Sequence, residues 1–588
     1  MGIKRYIANA DNTIVNAFQE NLRIRGTGSN AGMADVVETF SIYGRQSTSS
    51  AELSRILMKF PIDDIATDRT AENIPTSGNV SFYLKVFNAP SSKTVPKNAT
   101  YNVLAVSQSW QEGLGLDLEG YKDLTLGNSG SNWMSASNTE FWTDINGTLL
   151  AGGSYHTQSA PNADNNQAVF KFKQTLTNGI EDIELDITPL VEQWMAGTYE
   201  NYGIGLFLTA SQEAFESGSA PETISRTPGH LAFDEEDLEG DDGVLYNPSG
   251  STFSYYTKRF FARGSQYFFK RPHIEARWND ITRDNRGNFF LSSSRANAQD
   301  NMNTLYFYNY VRGQLADLPN FGPAAGYEKK IYVSIYSGSV GGYYADQGGG
   351  DGDDVPPSDI RLSGTTNANT GSVQLLSPDN AQNVRPDYLT VVTGGIVSTG
   401  IYSASFAFTG SKNSILLNNF YDVWFTGSHA IANADSALYQ FYTGTVSPHT
   451  LDGSSFSIKN RYFLNITNLR EKYYPQEIAR FDLYVRQKNW DPNIYTIANN
   501  DIPTLMMQSA SYRVCRVLDG YEAIPYGTGS DLCTSLSYDV SGNYFDLEMD
   551  LLEAGYAYQL KIAFYDSAVK AWIEQDEEFK FRVEEYEY

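Results

Sequence analysis

The chain has 588 residues, with 49 Gly, 21 Pro, 40 Tyr and 32 Phe, only 19% charged residues and a formal net charge of −26. At the usual size of about 100 to 200 residues per domain this length holds several cores, and the composition favours short strands and many turns over helices. The charge argues against a nucleic-acid surface and against adhesion to anionic lipid by charge alone.

Two cysteines, Cys515 and Cys533, are too few for a disulfide framework, and the start MGIKRYIANADNT carries no apolar stretch of a signal peptide. No run of about 18 apolar residues predicts a spanning helix. The expectation is synthesis in a cytosol, with both thiols reduced.

In chain order, Asn9 to Leu22 mixes polar and apolar positions, and Val36, Val37, Phe40 and Ile42 give the first clear strand. Leu53, Ile56, Met58 and Phe60 give the next, and Asp63 to Gly78 reads as a loop. VSFYLKVF then places Val80, Phe82, Leu84 and Val86 on one face. Val103 to Trp110 is a further strand, running into an acidic, glycine-broken loop from Glu112 to Asp123. The stretch Leu185 to Ala210 organises this half of the chain: a short helix with Thr188 as N-cap and Pro189 preset for the first turn, Leu190, Val191 and Trp194 on one face, Gly197 as a left-handed stop, and a strand through Ile204, Leu206 and Leu208.

The order of these pieces, Arg55 with LMKFP, VSFYLKVF, SWQEG, Trp133, LDITPLVEQWMAGTYENYGIGLFL and RFFARGSQYFFKRPHIEARW, resembles the DNRLRE-type jelly-roll module, which is related to carbohydrate-binding modules. The resemblance covers roughly residues 10 to 280 and implies a β-sandwich with affinity for glycans; it supplies no catalytic residues. This copy departs from the module in its insertions Asn146 to Asn166 and Gln212 to Ser251.

After a polar linker, LYFYNYVRG, KKIYVSIYSG, YLTVVTGG, GIYSASFAF and FYDVWFTG read as the strands of a second sandwich. From Ser457 onward ARFDLYVRQKNW alternates cleanly, and Tyr556 or Tyr558 suits the tyrosine corner of an immunoglobulin-like fold. The expected fold is all-β: a jelly-roll β-sandwich over residues 1–281, a middle β-sandwich over 282–456 and an immunoglobulin-like β-sandwich over 457–588.

Groups that carry chemistry are sparse. The histidines His156, His230, His273, His429 and His449 form no H-E-x-x-H pair, and neither a G-x-S-x-G elbow nor a phosphate-binding loop occurs. Glycoside cleavage leaves no spacing to read, because its two carboxylates come from separate strands. Asp351, Asp353 and Asp354 are candidate calcium ligands in an acidic glycine loop, and Asp234 to Asp242 holds a second cluster; neither has the spacing of a helix–loop–helix site, which favours a solvated loop and no cofactor. Trp110, Trp133 and Trp142 with Tyr121 suit a stacking platform for sugar rings. The resemblance puts Trp110 and Trp133 at framework positions, leaving Trp142 and Tyr121 as the candidate glycan contacts. Lys258, Arg259, Arg263, Lys270 and Arg271 interleave with Phe260, Phe261, Tyr267 and Phe268, which suits an outward-facing basic row or a charge-complementary protein interface.

These features together lead to the expectation of a non-enzymatic structural protein of a tailed-bacteriophage virion, on the neck, tail or capsid surface. Its expected partners are other virion proteins, copies of itself and a host-surface glycan, with no nucleic acid and no membrane. The alternative is a bacterial extracellular glycan-binding adhesin or an accessory protein of polysaccharide degradation.

Overall fold

The computed structural model describes residues 2–16, 30–43, 51–91, 94–116, 130–133, 135–144, 146–148, 150–156, 170–217, 246–290, 301–318, 331–338, 374–376, 392–409, 419–426, 439–446, 448–449, 462–488, 490, 504–527, 532–566 and 570–585. They form an all-β protein of stacked sheets, in two compact units.

The first unit is Met1–Asp280 with the short pieces Gly527–Cys533 and Asp550–Glu553. Its strands are β1 (Ile3–Ile7), β2 (Ala10–Asn16), β3 (Val36–Tyr43), β4 (Ala51–Lys59), β5 (Val80–Val86), β6 (Ala99–Ala105), β7 (Lys171–Leu176), β8 (Ile183–Asp186), β9 (Ile204–Leu208), β10 (Glu216–Ser217), β11 (Tyr246–Asn247), β12 (Tyr255–Phe261) and β13 (His273–Trp278), with helices α1 (Ile62–Thr70) and α2 (Thr188–Met195) between them. One sheet has the order β1-β13-β5-β8, and the other β12-β3-β4-β9-β6-β7 with β2 alongside β4.

Alternation builds the sandwich. On β5, Val80, Phe82, Leu84 and Val86 are all buried while the residues between them are not, and they meet Ile56 and Met58 of β4, Leu206 of β9 and Ile274 of β13 in one core. Burying each such side chain contributes about 1.5–3 kcal/mol, so the two inner faces supply the main stabilisation. The helices close one end of this core through Ile62, Ile65, Leu190, Val191 and Trp194. Arg69 of α1 grips Glu192 of α2 with two hydrogen bonds of 2.7 Å.

Three local expectations are corrected. The stretch read as a loop from Asp63 contains helix α1, which holds only Ile62 and Ile65 as buried residues and so offers little periodicity. Strands β1 and β2 precede the first strand expected. Thr188 does not cap α2: its hydroxyl donates to Asp186 at 2.6 Å and accepts from the Phe82 N–H at 2.8 Å, tying the helix to β5. The helix does stop at Gly197, with φ of 66°; the Gly197 N–H bonds the Trp194 carbonyl and the Thr198 N–H the Gln193 carbonyl.

The second unit comprises Ile281–Tyr526, Thr534–Met549 and Ala554–Tyr588. Its first part holds β14 (Phe289–Phe290), β15 (Asn303–Tyr308), β16 (Tyr310–Val311), β17 (Gln314–Leu315), β18 (Ile331–Gly338), β19 (Gln374–Leu376), β20 (Val392–Ser398), β21 (Ile401–Thr409), β22 (Asn419–Thr426), β23 (Tyr439–Val446) and β24 (Pro448–His449). The ladder β15-β21-β20-β18-β22-β23 folds over on itself, because Phe307 near one end lies 5.8 Å from Trp424 and 5.4 Å from Tyr442 near the other.

The remainder holds β25 (Tyr462–Ile466), β26 (Lys472–Tyr473), β27 (Ile478–Gln487), β28 (Ala510–Arg516), β29 (Glu522–Ile524), β30 (Ser537–Asp539), β31 (Gly542–Glu548), β32 (Ala557–Asp566), β33 (Ala571–Glu574) and β34 (Phe579–Val583). The sheets β25-β27-β31-β30 and β26-β34-β32-β28-β29, with β26 and β34 parallel, make an immunoglobulin-like sandwich. Its core stacks Phe481 on Phe545 at 5.2 Å and Tyr512 on Phe545 at 4.1 Å. Tyr558 is fully buried beside Phe581, whereas Tyr556 is half-buried under the Arg516 guanidinium.

Within this unit the segment from Thr282 to Gly287 joins the two sandwiches. Asp284 N–H donates to the Tyr538 carbonyl at 3.0 Å, and Tyr538 N–H to the Thr282 carbonyl at 3.0 Å. Arg286 holds the fully buried Asp422 by bonds of 2.5 and 2.6 Å, and Trp424 Nε1 donates to the same carboxylate at 2.6 Å.

Candidate functional site

On β4, Ile56 and Met58 face the main core, which leaves Leu53, Arg55 and Leu57 on the opposite face. That face is covered. Leu53 and Leu57 join Ile14, Val106, Trp133, Ala136, Trp142 and Ala214 in a second apolar layer over the sheet. An arginine in this row must therefore be neutralised in place.

Arg55 Nε and Nη2 donate to the two carboxylate oxygens of Glu213 at 3.0 and 2.9 Å, and Nη1 donates to the Gly152 carbonyl at 2.9 Å. The guanidinium also lies over Phe207 at 4.6 Å, Trp133 at 5.2 Å and Tyr155 at 5.9 Å. Burial works against the charge, yet the Glu213 carboxylate holds the Arg55 pKa above the ordinary arginine value. Gly152 has φ of 75°, and a Cβ there would sit 2.7 Å from the Trp133 ring, so only glycine brings its carbonyl to Arg55. The box is filled by the chain's own cation and fixes the loop layer to the sheet.

Trp142, expected as a glycan contact, lies inside this layer at 0% exposure, and its Nε1 donates to the Asn132 carbonyl at 2.8 Å. It has no open ring face for a sugar; an insertion folded back over a sheet buries its tryptophan as a core does. Trp133 is likewise buried, and Trp110 Nε1 donates to the Tyr202 carbonyl at 2.7 Å. Tyr121, Asp351, Asp353, Asp354 and the stretch from Asp234 to Asp242 lie outside the described residues. Among the described residues no group of three or more His, Cys, Asp or Glu is placed to hold a metal ion. Cys515 and Cys533 are both buried free thiols.

Within the basic row Lys258 is turned inward, and Arg259, Arg263 and Arg271 have partners within the chain. Lys258 is wholly buried and its Nζ donates to Asn88 Oδ1 at 2.5 Å and to the carbonyls of Gly179 and Glu181 at 3.0 Å each. Burial draws its pKa down to about 8 against the pull of Asp182 and Glu181. Arg259 pairs with Glu38 at 2.6 Å, and Arg271 Nε donates to the Ser265 carbonyl.

Arg263 belongs to a second node that the sequence did not signal. Its guanidinium grips Glu112 at 2.6 and 2.7 Å, and its backbone N–H donates to Asp11 Oδ2 at 2.5 Å. Glu112 in turn accepts from the Asp11 N–H at 2.8 Å. Asp11 is fully buried and its Oδ1 has no hydrogen-bond partner. Burial pushes its pKa up to about 7, with Glu112 adding to the rise and the Arg263 N–H and charge opposing it. Both nodes join segments far apart in sequence, and neither leaves a nucleophile with an adjacent base.

No protein-family model matches this chain, and no curated protein matches it. Among solved structures, the fibronectin(III)-like modules of CbhA from Clostridium thermocellum are similar at 9% identity over 36% of this chain and 77% of that one, with a TM-score of 0.13, a likeness that carries no argument about this chain.

Proposed function

We propose that the chain is a non-enzymatic structural protein of a tailed-bacteriophage virion, a neck, tail or capsid-surface component that acts by docking on other proteins. The observation that carries this reading is the use made of buried ionic groups. Arg55 with Glu213, Arg263 with Glu112, Lys258 with its three acceptors and Arg286 with Asp422 all brace sheet to loop or segment to sandwich. Sandwiches braced internally in this way, in a chain of net charge −26, suit a soluble component of a crowded assembly. The DNRLRE-like reading of the N-terminal part is retained within this proposal, supported by helix α2 and the closing strand β13, with weak glycan binding as an accessory property.

The test is mass spectrometry and immunogold labelling of purified virions from the source of the chain. Recovery in the particles, with gold confined to neck, tail or capsid surface, is the expected outcome. Absence from purified particles sinks the reading.

A further inference from the structure

Lys258 on β12 brings an amine into the protein, and the shortest of its hydrogen bonds is to an amide. Its Nζ lies 2.5 Å from Oδ1 of Asn88, just past the end of β5, and 170 residues separate the two in sequence. A C=O bond is about 1.2 Å long, so Asn88 Cγ lies at most about 3.7 Å from the amine nitrogen. Attack on a carbonyl carbon needs about 3–3.5 Å, one small side-chain rotation away.

The surroundings suit covalent chemistry. The lysine is wholly buried, with Nζ 4.9 Å from the centre of the Phe260 ring, so water is kept from the amine. Burial draws its pKa down to about 8, which leaves about one molecule in ten with a free amine at pH 7. The Asp182 carboxylate is fixed on the Asn88 main chain, accepting its N–H at 2.7 Å, and its charge acts on Lys258 together with that of Glu181. Asn88 is half-buried, which gives a small leaving group a way to solvent.

We propose that Lys258 and Asn88 join in an intramolecular isopeptide bond, with Asp182 as the proton carrier. The lysine ammonium gives a proton to Asp182, and the freed amine lone pair attacks Asn88 Cγ. The carbonyl electron pair moves to Oδ1 and returns as the Cγ–Nδ2 bond breaks. Nδ2 takes up the proton held by Asp182 and the second proton shed by Nζ, and leaves as ammonium. One C–N bond forms, one C–N bond breaks, and no oxidant or other reactant is consumed. Holding both groups in one buried site supplies the effective concentration that this step lacks in water. The product ties β12 of one sheet to the end of β5 of the other, a cross-link that constrains the unfolded chain. Such a staple serves a β-sandwich in any setting, so it stands apart from the virion reading.

The test is the intact mass of the full chain, purified folded and held at pH 8, followed by peptide mapping. The expected mass is lower than that of the sequence by about 17 Da, one ammonia, with Lys258 and Asn88 recovered in one branched peptide. Lys258→Met and Asn88→Ala are each expected to keep the full mass. Asp182→Asn retains an acceptor for the Asn88 N–H and is expected to slow formation at least about a hundredfold. The parent's own mass decides the matter even where a variant fails to fold. A parent chain of full mass, the two residues recovered in separate peptides, a loss of ammonia that maps to a cyclised asparagine elsewhere, or an Asp182→Asn chain that reacts at the parent's rate each overturn the proposal.

Discussion

Asp11 gives the sharpest test of how the N-terminal unit is held together. Its carboxyl is wholly buried, one oxygen is unpartnered, and its pKa stands at about 7 against an ordinary 3.8. A folded-state pKa above the unfolded one means that folding favours the protonated form. The stability linked to this group is therefore complete below pH 4 and is lost as pH rises through 7. About three pKa units at 1.36 kcal/mol each set an upper bound of about 4 kcal/mol. Asp11→Asn removes the ionisation while keeping an oxygen for the Arg263 N–H. Its new amide places an NH2 group, with two N–H donors, in the buried site, which costs about 1–3 kcal/mol if it finds no acceptor. The expected net result is a variant more stable than the parent by about 1–3 kcal/mol at pH 8, with that advantage vanishing by pH 5. Urea unfolding followed by tryptophan fluorescence at pH 5, 6.5 and 8 measures it. An advantage that is absent at pH 8, or equal at every pH, refutes the argument, because only an ionising group ties the gain to pH.

The Arg55–Glu213 pair is expected to show the asymmetry of a buried ion pair. Arg55→Met alone or Glu213→Gln alone should cost about 3–5 kcal/mol, and the double variant distinctly less than their sum, as read from a double-mutant cycle. Gly203 has φ of 85°, and a Cβ there would lie 2.1 Å from the Met58 carbonyl oxygen. Gly203→Ala should therefore lower stability by more than the roughly 1 kcal/mol typical of a strained φ alone, and a melting temperature equal to the parent's would contradict the close approach of β9 to β4.

Sequence periodicity exposed what is regular. The alternation of Val80, Phe82, Leu84 and Val86 appears as the inner face of β5, and Gly197 ends α2 in the left-handed conformation its position suggests. The rest was hidden for identifiable reasons. Helix α1 buries too few residues to imprint a 3.6-residue period on IDDIATDRT. The row Leu53, Arg55, Leu57 held a usable signal, since an arginine between two leucines on the second face of a strand implies a covering layer with an acidic partner. The identity of that partner, Glu213, was not readable, because 158 residues separate the two. Asp11 and Glu112 have the same character: their meaning lies in a fold that brings distant loops to one point.

Lys258 carries a consequence for the turn that it supports. Two main-chain carbonyls and one amide oxygen converge on its Nζ within 3.0 Å, an arrangement of oxygens around a positive centre such as a bound metal ion often has. Here the positive centre arrives on a covalent stem. It cannot be removed by a chelator, exchanged for another ion or diluted away, and its local concentration never changes. The turn between β7 and β8 is thus a coordination site with a tethered occupant, which needs no metal ion from the medium and loses its charge as pH rises through about 8.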